Sequence, residues 1–384
     1  MKLLIISHTE HYRLPDNTIA GWGPTIRELD ELTLLFDEVI HIACLYPTPA
    51  PKSAMPYSSG KVKFVSIPPY GGPGWRNKLG ILLKAPQIIA AVFRELRQAD
   101  VFQFRAPTSM GVYLIPLLSL LTRKKGWFKY AGNWGQEQMP LSYAIQRWWL
   151  LRLQKRKVTI NGRWPGQASH LLSFENPCLT AEELRKAGVI AAEKSFPEKL
   201  NISFAGGLNE GKGIRQLLDA LALIPDISQH IDQLLIAGDG PLRAELAQKA
   251  AQLPIRVVFR GFLNRSQLEE GYAAAHFICL PSASEGFPKV IAEGAAFGCI
   301  PVVTDVSAIG QYIIPGQTGF LMPGNRPEQI AAAFHELLGN RAALPAIAQR
   351  ARQMAGLFTY ERYRQRIAAE ILGQQRFEGE SVGG

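Results

Sequence analysis

A chain of 384 residues is too long for one ordinary hydrophobic core, so two domains are expected. Apolar residues at 47% and charged residues at 19%, with no long polar run, exclude a disordered chain; four scattered cysteines without a Cys-x-x-Cys pair exclude a disulfide framework or a zinc site and suit a reducing compartment. The net charge of +10 lies wholly in the first half, where residues 1–200 hold 26 Lys/Arg against 15 Asp/Glu, while residues 201–384 hold 16 against 17. Such a basic half suits an anionic partner, either a lipid surface or a phosphate-bearing acceptor. Nucleic acid is disfavoured, because no nucleic-acid-binding motif accompanies the charge.

The opening apolar run is cut short by Ser7-His-Thr-Glu10, so it reads as a buried strand over 3–7 and not as a signal peptide. A helix over 24–35 follows, then strands over 38–45 and 61–67, a helix over 78–97 and a strand over 101–105. The apolar stretch 110–121 falls short of the roughly twenty residues a membrane crossing needs, so a soluble, cytoplasmic protein is expected. A strand over 128–130 continues the series and 168–173 closes it. Between them, 147–157 mixes tryptophan with basic residues. It reads either as a core-facing helix with a charged end or as a segment lying aromatic side down on the inner face of an anionic membrane. His8, His11 and Arg13 come after the first strand, where a ligand cleft or a surface loop would suit them equally.

Residues 174–180 read as the exit from an N-terminal domain over 1–180, followed by a helix over 181–187 and a linker over 191–198. A second alternating series then runs through strands over 200–205, 233–237, 255–260, 277–280 and 300–304, with helices over 213–224, 241–251, 266–275, 327–338 and 344–358. Alternation of this kind predicts parallel sheets covered by helices, with the second domain over 200–358. A last basic helix over 360–372 belongs to a stretch, 359–384, expected to pack back on the N-terminal domain. Two open α/β domains would bind ligands at the carboxyl ends of their strands, facing one central cleft.

Three loops in the second half carry candidate chemistry. Phe204-Ala-Gly-Gly-Leu-Asn-Glu-Gly-Lys-Gly213 places glycines at a strand end and Lys212 just before a helix. Gly206 and Gly207 would let backbone approach a phosphate, and Lys212 would neutralise it. Neither a P-loop nor a G-x-G-x-x-G is present here. Ala237-Gly-Asp-Gly-Pro-Leu-Arg243 reads first as turn chemistry, with Pro241 at the first helical position. The most informative stretch is Ser284-Glu-Gly-Phe-Pro-Lys-Val-Ile-Ala-Glu293: Glu285 falls in a loop and Glu293 eight positions later in a helix, bracketing a helix N-terminus that suits a phosphate. Glu293 also has apolar neighbours, and a carboxylate so placed needs a partner.

These loops, with Ala-x-x-Gly-x-x-Pro-Val at 295–302 and Gly316-Gln-Thr-Gly-Phe-Leu321, resemble the donor domain of the GT4 family of retaining GT-B glycosyltransferases. The resemblance covers some 150 residues, from Phe204 to Phe358, and the first half matches more loosely through its first strand and Gly21-Trp-Gly23. It implies a GT-B fold, two Rossmann-like α/β domains facing a central cleft. It further implies sugar transfer, with retention, from a nucleoside diphosphate sugar to a saccharide or lipid-linked saccharide, as in surface polysaccharide or lipopolysaccharide assembly. In that reading Lys212 neutralises the diphosphate, aided by backbone N–H groups among Gly286, Phe287, Lys289, Val290 and Ile291. Glu285 holds the transferred sugar and Glu293 the ribose. No Asp-x-Asp occurs, which suits the metal-independent chemistry of this class, and no cofactor is expected.

Three departures bear on activity. The family usually has Arg five residues before the Lys, where this chain has Gly207; Arg13, Arg105, Arg163 or Lys289 are the candidate replacements. Pro288 stands where glycine is common and lacks an N–H. The usual His-Gly of the N-terminal domain is replaced by Tyr130-Ala-Gly-Asn-Trp134, in which Asn133 hydrogen-bonds an acceptor but does no acid–base work. The acceptor side would then draw on Arg13, Gly21, Gly23, Arg105, Asn133 and Arg163. The departures keep a rival reading open, a non-catalytic sugar-nucleotide-binding subunit assisting another transferase. A nucleotide-sugar epimerase of the same fold is the third.

Overall fold

A computed structural model describes residues 1–70 and 80–374, and the chain divides into two compact units. The first comprises residues 1–174 with the returning C-terminal segment from Arg362; the second comprises Glu175–Glu361.

The first unit is built on β1 (Lys2–Arg13), β2 (Ile19–Trp22), β3 (Glu38–Tyr46), β4 (Ala54–Pro56), β5 (Val62–Ile67), β6 (Val101–Ala106), β7 (Lys125–Tyr130), β8 (Val158–Ile160) and β9 (Leu171–Ser173). Among the described residues, β5-β3-β1-β6-β7-β8-β9 are parallel neighbours, and β2 and β4 add an antiparallel ribbon to the far half of β1. The first strand is therefore twice as long as its apolar run predicts. It pairs with β6 over Leu3–Ile6, passes a register shift between Ile6 and Glu10, and pairs with β2 from His11 onward. The predicted helix over 24–35 is Gly23–Leu32, and that over 78–97 is Ala85–Gln98, its first two predicted residues lying outside the described ones. The 147–157 stretch is the end of a helix, Leu141–Arg152, and the loop that leads to β8.

Polar residues continue β1 because each finds a partner. His11 Nδ1 lies 3.0 Å from the Thr9 carbonyl, which only accepts, so Nδ1 carries the proton and Nε2 accepts. Tyr57 then donates its hydroxyl to His11 Nε2 at 2.9 Å and must accept from His41 Nδ1 at 2.7 Å. His41 Nε2 is left to accept from the Ser7 hydroxyl at 2.8 Å. One carbonyl thus sets the direction of the whole chain, with both imidazoles neutral. Burial pushes His11 down to about 4, and burial, with His11 and Arg105 next, holds His41 well below the usual imidazole range.

A second buried polar cluster anchors the chain's end. Glu28, on the helix Gly23–Leu32, accepts through Oε1 from Arg105 at 2.8 Å, Lys129 at 2.6 Å and Tyr363 at 3.0 Å. Arg364 pairs with Glu31, and the Arg366 guanidinium lies 4.0 Å from the Phe174 ring centroid. These contacts hold the final helix, Tyr360–Arg366, through its residues from Arg362 on.

The second unit is one parallel sheet of β10 (Leu200–Ala205), β11 (Ile231–Ala237), β12 (Arg256–Gly261), β13 (Phe277–Leu280), β14 (Ile300–Thr304) and β15 (Phe320–Met322), in the order β12-β11-β10-β13-β14-β15. The chain moves outward from β10 to β11 and β12, then returns to β13 on the other side. The loops after β10 and β13 therefore meet at a topological switch point, where open α/β sheets bind ligands.

The neutral histidines give a pH dependence with a definite sign. His11 binds a proton at about 4 in the fold and at about 6.5 when unfolded, so the unfolded state takes up more protons between those values and stability falls as pH drops through that window. Urea unfolding at pH 5 and pH 7 should show a loss on the order of 2 kcal/mol from this group. His11→Gln should reduce the difference, and an unchanged difference would refute the neutral chain.

Candidate functional site

The site grows from the end of β10. After Ala205 the chain forms a short turn, Glu210–Lys212, and Gly213 takes the left-handed conformation at φ 70° before the helix Ile214–Ala222. A side chain at Gly213 would place its Cβ 2.0 Å from the Pro281 carbonyl oxygen, so glycine is required both for the turn and for the approach of the loop after β13. That loop is stitched on by Ala283 N–H to Gly211 O at 2.9 Å, and β14 braces it through Thr304 Oγ1 donating to Ser282 O at 2.6 Å. Lys212 and Glu285 are thereby brought together, Nζ to Oε1, at 2.5 Å. The carboxylate is the more buried partner, with side-chain exposures of 31% for Lys212 and 10% for Glu285, so the ammonium is what an incoming group meets.

Gly206 is less available than the sequence predicts, because its N–H donates to Ala237 O at 2.9 Å. Gly207 is half-buried beside Asn209. The second loop is turn chemistry: Gly240 N–H bonds Asp239 Oδ1 at 2.8 Å, while Leu208 N–H bonds Asp239 O at 3.0 Å and Leu242 N–H bonds Leu208 O at 3.2 Å. It braces the lysine loop from behind. Arg215, which sequence reasoning passed over, completes the brace by pairing with Glu210 and Glu245, each at 2.6 Å.

The helix Lys289–Ala296 starts after Pro288, beyond Gly286 in the loop. Ile291 spends its N–H on Pro288 O at 3.1 Å, which removes that amide from the predicted phosphate donors. Val290, in the first turn, has no intrahelical acceptor for its own N–H. Phe287 packs inward, stacked on Phe358 with centroids 4.3 Å apart and edge-on to Tyr312 at 5.2 Å, so its side chain anchors the loop.

Glu293 does find the partner its apolar setting demands. Arg265 Nη1 donates to Oε1 at 2.7 Å, and the buried Tyr272 hydroxyl lies 3.4 Å from Oε2. Burial works against the Arg265 charge, but Glu293 first and then Glu183 outweigh it and raise the guanidinium pKa. The structure thus splits the two carboxylates between different cations, Glu285 to Lys212 and Glu293 to Arg265. Neither Arg265 nor Tyr272 was foreseen. The only signal nearby is the capping box from Asn264 to Gln267.

The candidates in the first unit fare differently. Gly21 sits in β2 against His11, whose ring would lie 2.4 Å from an added Cβ. Gly23 opens the helix Gly23–Leu32. Arg105 is a correction too, since it is committed to Glu28 and to Gln103 at 2.9 Å inside the buried cluster and is not held ready for a phosphate. His11 likewise belongs to the buried chain, and His8 packs on Tyr70. Arg13 is exposed and donates to Asn17 O at 3.3 Å; Asn133 accepts from Gly135 N–H at 3.0 Å; Arg163 is exposed after β8.

Residues 189–354 match the family model described as glycosyl transferases group 1, a span that contains Lys212, Glu285, Glu293 and Arg265. The chain carries a domain of this family. An uncharacterized glycosyltransferase of Methanocaldococcus jannaschii is 31% identical over 232 residues, 60% of this chain and 56% of that protein. A GDP-mannose-dependent alpha-(1-6)-phosphatidylinositol dimannoside mannosyltransferase of Mycobacterium tuberculosis is 33% identical over 191 residues, 49% of this chain and 47% of the relative. The chain spans about half the length of the curated relatives it matches. Among solved structures, HepE of Anabaena with UDP and glucose aligns at TM-score 0.69 and 17% identity over 97% of this chain and all of that one. WaaG, a glycosyltransferase involved in lipopolysaccharide biosynthesis, aligns at 0.63 and 15% identity with the same coverage. The fold of the chain is GT-B.

Because Gly213 sits in left-handed backbone against Pro281, Gly213→Ala should destabilise the protein by on the order of 1–3 kcal/mol and disturb the Lys212–Glu285 pair. Chemical denaturation would measure it, and a variant as stable as wild type would show that the two loops are not locked as described.

Proposed function

We propose that this chain is a retaining glycosyltransferase that takes a sugar from a nucleoside diphosphate donor and passes it to a saccharide or lipid-linked saccharide. The observation that carries the reading is the Lys212–Glu285 pair at the carboxyl ends of β10 and β13. A departing diphosphate needs positive charge where its own charge develops, and a preorganised ammonium supplies it without reorganisation. The carboxylate beside it accepts hydroxyls of the transferred sugar and so orients the anomeric carbon. Glu293 accepts the ribose hydroxyls. Retention follows if the acceptor attacks on the leaving-group face, where Lys212 also meets the diphosphate. The charge on the leaving group is met by protein groups, with no divalent cation required.

The setting we propose is surface polysaccharide or lipopolysaccharide assembly, an analogy from the family. Charge and shape support a peripheral membrane contact. Leu141, Ile145 and Trp148 form one exposed stripe on the helix Leu141–Arg152, and exposed Arg152, Lys155 and Lys157 follow it. Residues 101–174 hold 11 Lys/Arg against a single acid, Glu137. No helix of the described residues is long and apolar enough to cross a membrane.

One observation favours the second reading. Gly207 leaves the lysine loop without the arginine usual in the family, so a non-catalytic subunit that binds donor for another transferase stays in view.

A thermal-shift screen of UDP-, GDP-, ADP- and TDP-sugars should give a selective rise in melting temperature that Lys212→Ala weakens. Turnover by wild type should persist in EDTA and fall about 10²-fold or more in Lys212→Ala and in Glu285→Ala. Binding without hydrolysis or transfer would support the subunit reading, and no shift with any donor on folded protein would refute donor binding. In sedimentation, the protein should follow phosphatidylglycerol vesicles and stay behind with phosphatidylcholine alone; equal partition would refute the basic face.

A further inference from the structure

Glu293 is held by a residue that no sequence motif marks, and the manner of holding is specific. Arg265 donates from Nη1 to Glu293 Oε1 at 2.7 Å and from Nε to Glu269 Oε1 at 2.8 Å, and its Nη2 faces Glu183 Oε2 at 3.6 Å. The guanidinium is therefore hydrogen-bonded to two carboxylates, and a third lies near its Nη2, which makes no hydrogen bond of its own. Glu183 is itself fixed, since its Oε2 accepts the Thr180 N–H at 2.7 Å within the capping box of the helix Ala181–Ala192. Tyr272 closes the other side of Glu293 at 3.4 Å. Each carboxylate oxygen has more than one lone-pair site, so Glu293 can take these two contacts and still accept from a ligand. Its side chain keeps 11% exposure, enough for that approach.

Three acids around one cation make the arrangement asymmetric. Without Arg265, the largely buried Glu293 would lose its cation beside two further acids, and would turn away or take up a proton. Either change removes acceptor capacity from Glu293. Lysine does not replace the fork, because its rotating ammonium lacks the planar donor geometry that fixes the direction of Glu293.

We propose that Arg265 is a positioning residue that orients Glu293 toward the ribose of the donor, and so sets the preference for a ribonucleotide over its deoxy counterpart. This rests on the donor reading above and adds a residue to it. Arg265 acts through Glu293 and touches no reacting atom.

The test is calorimetric binding of UDP, GDP and ADP, each beside its 2′,3′-dideoxy form, to wild type, Glu293→Ala, Arg265→Met and Arg265→Lys. Wild type should prefer one ribonucleotide over its dideoxy form by about tenfold or more, the usual worth of hydrogen bonds to a charged group. Glu293→Ala should abolish the preference. Arg265→Met and Arg265→Lys should lose most of it while binding the dideoxy form as wild type does. Arg265→Lys keeps the positive charge and is the variant to rely on if Arg265→Met fails to fold. An Arg265→Lys protein that keeps the full preference, while Glu293→Ala loses it, overturns the positioning role and leaves the donor reading standing. A wild type that binds both members of each pair equally overturns the positioning role together with the ribose role of Glu293, and one that binds none of the six overturns the donor reading as well.

Discussion

Lys212 and Glu285 stand 73 residues apart in sequence and 2.5 Å apart in space, and the reversal of strand order about β10 is what joins them. In a parallel sheet every strand ends at the same edge, so a loop's neighbours are decided by strand order alone. With β11 on one side of β10 and β13 on the other, the loop over 206–213 meets the loop over 281–288 at the sheet edge. The rest of the site is support for that meeting. Gly213 permits the close approach, Thr304 and Phe287 pin the second loop, and the turn at Asp239 backs the first.

Both units bury polar groups, and they solve the cost in two ways. In the chain from Ser7 to Thr9 every member is neutral, so desolvation is offset by hydrogen bonds alone and a single carbonyl orients the set. Around Glu28 and around Arg265 the groups are ionic, and each central charge has several opposite partners. A buried ion with one partner does little better than break even, whereas one with several hydrogen bonds fixes geometry. The ionic clusters accordingly sit where position matters: one holds the returning C-terminal helix, the other holds a carboxylate at the candidate site.

How far this was legible follows from element length and burial. β13 and β14 were readable to the residue, as was β10, because central parallel strands are continuous apolar runs with punctuated ends. β2, β4, β8 and β15 have three or four residues each, too few for any period to show. The far half of β1 was hidden for another reason. Ser7, His8, Thr9 and Glu10 look like a strand's end, and only partners on β3 and near Tyr57 make them strand. At the site, Lys212, Glu285 and Glu293 were visible because motif spacing is local. Arg265 was not, since its relation to Glu293 exists only after two helices pack.

The departures from the family pattern now have a physical frame. With Gly207 in place of an arginine, the lysine loop offers one cation, and that cation is paired with Glu285. A diphosphate arriving at Lys212 therefore meets a neutralised pair, and its binding is an exchange of one anion for another. Exchange is favourable only if the released carboxylate gains something in return. In the proposed reading it does, because the sugar attached to the same diphosphate brings hydroxyl donors to Glu285 as Lys212 turns to the phosphate. A free diphosphate supplies no such donors and leaves a mostly buried carboxylate short of a partner. In that reading, the same pair that weakens the site for phosphate alone favours the intact donor over its product, which is the order of affinity a transferase needs to release what it has used.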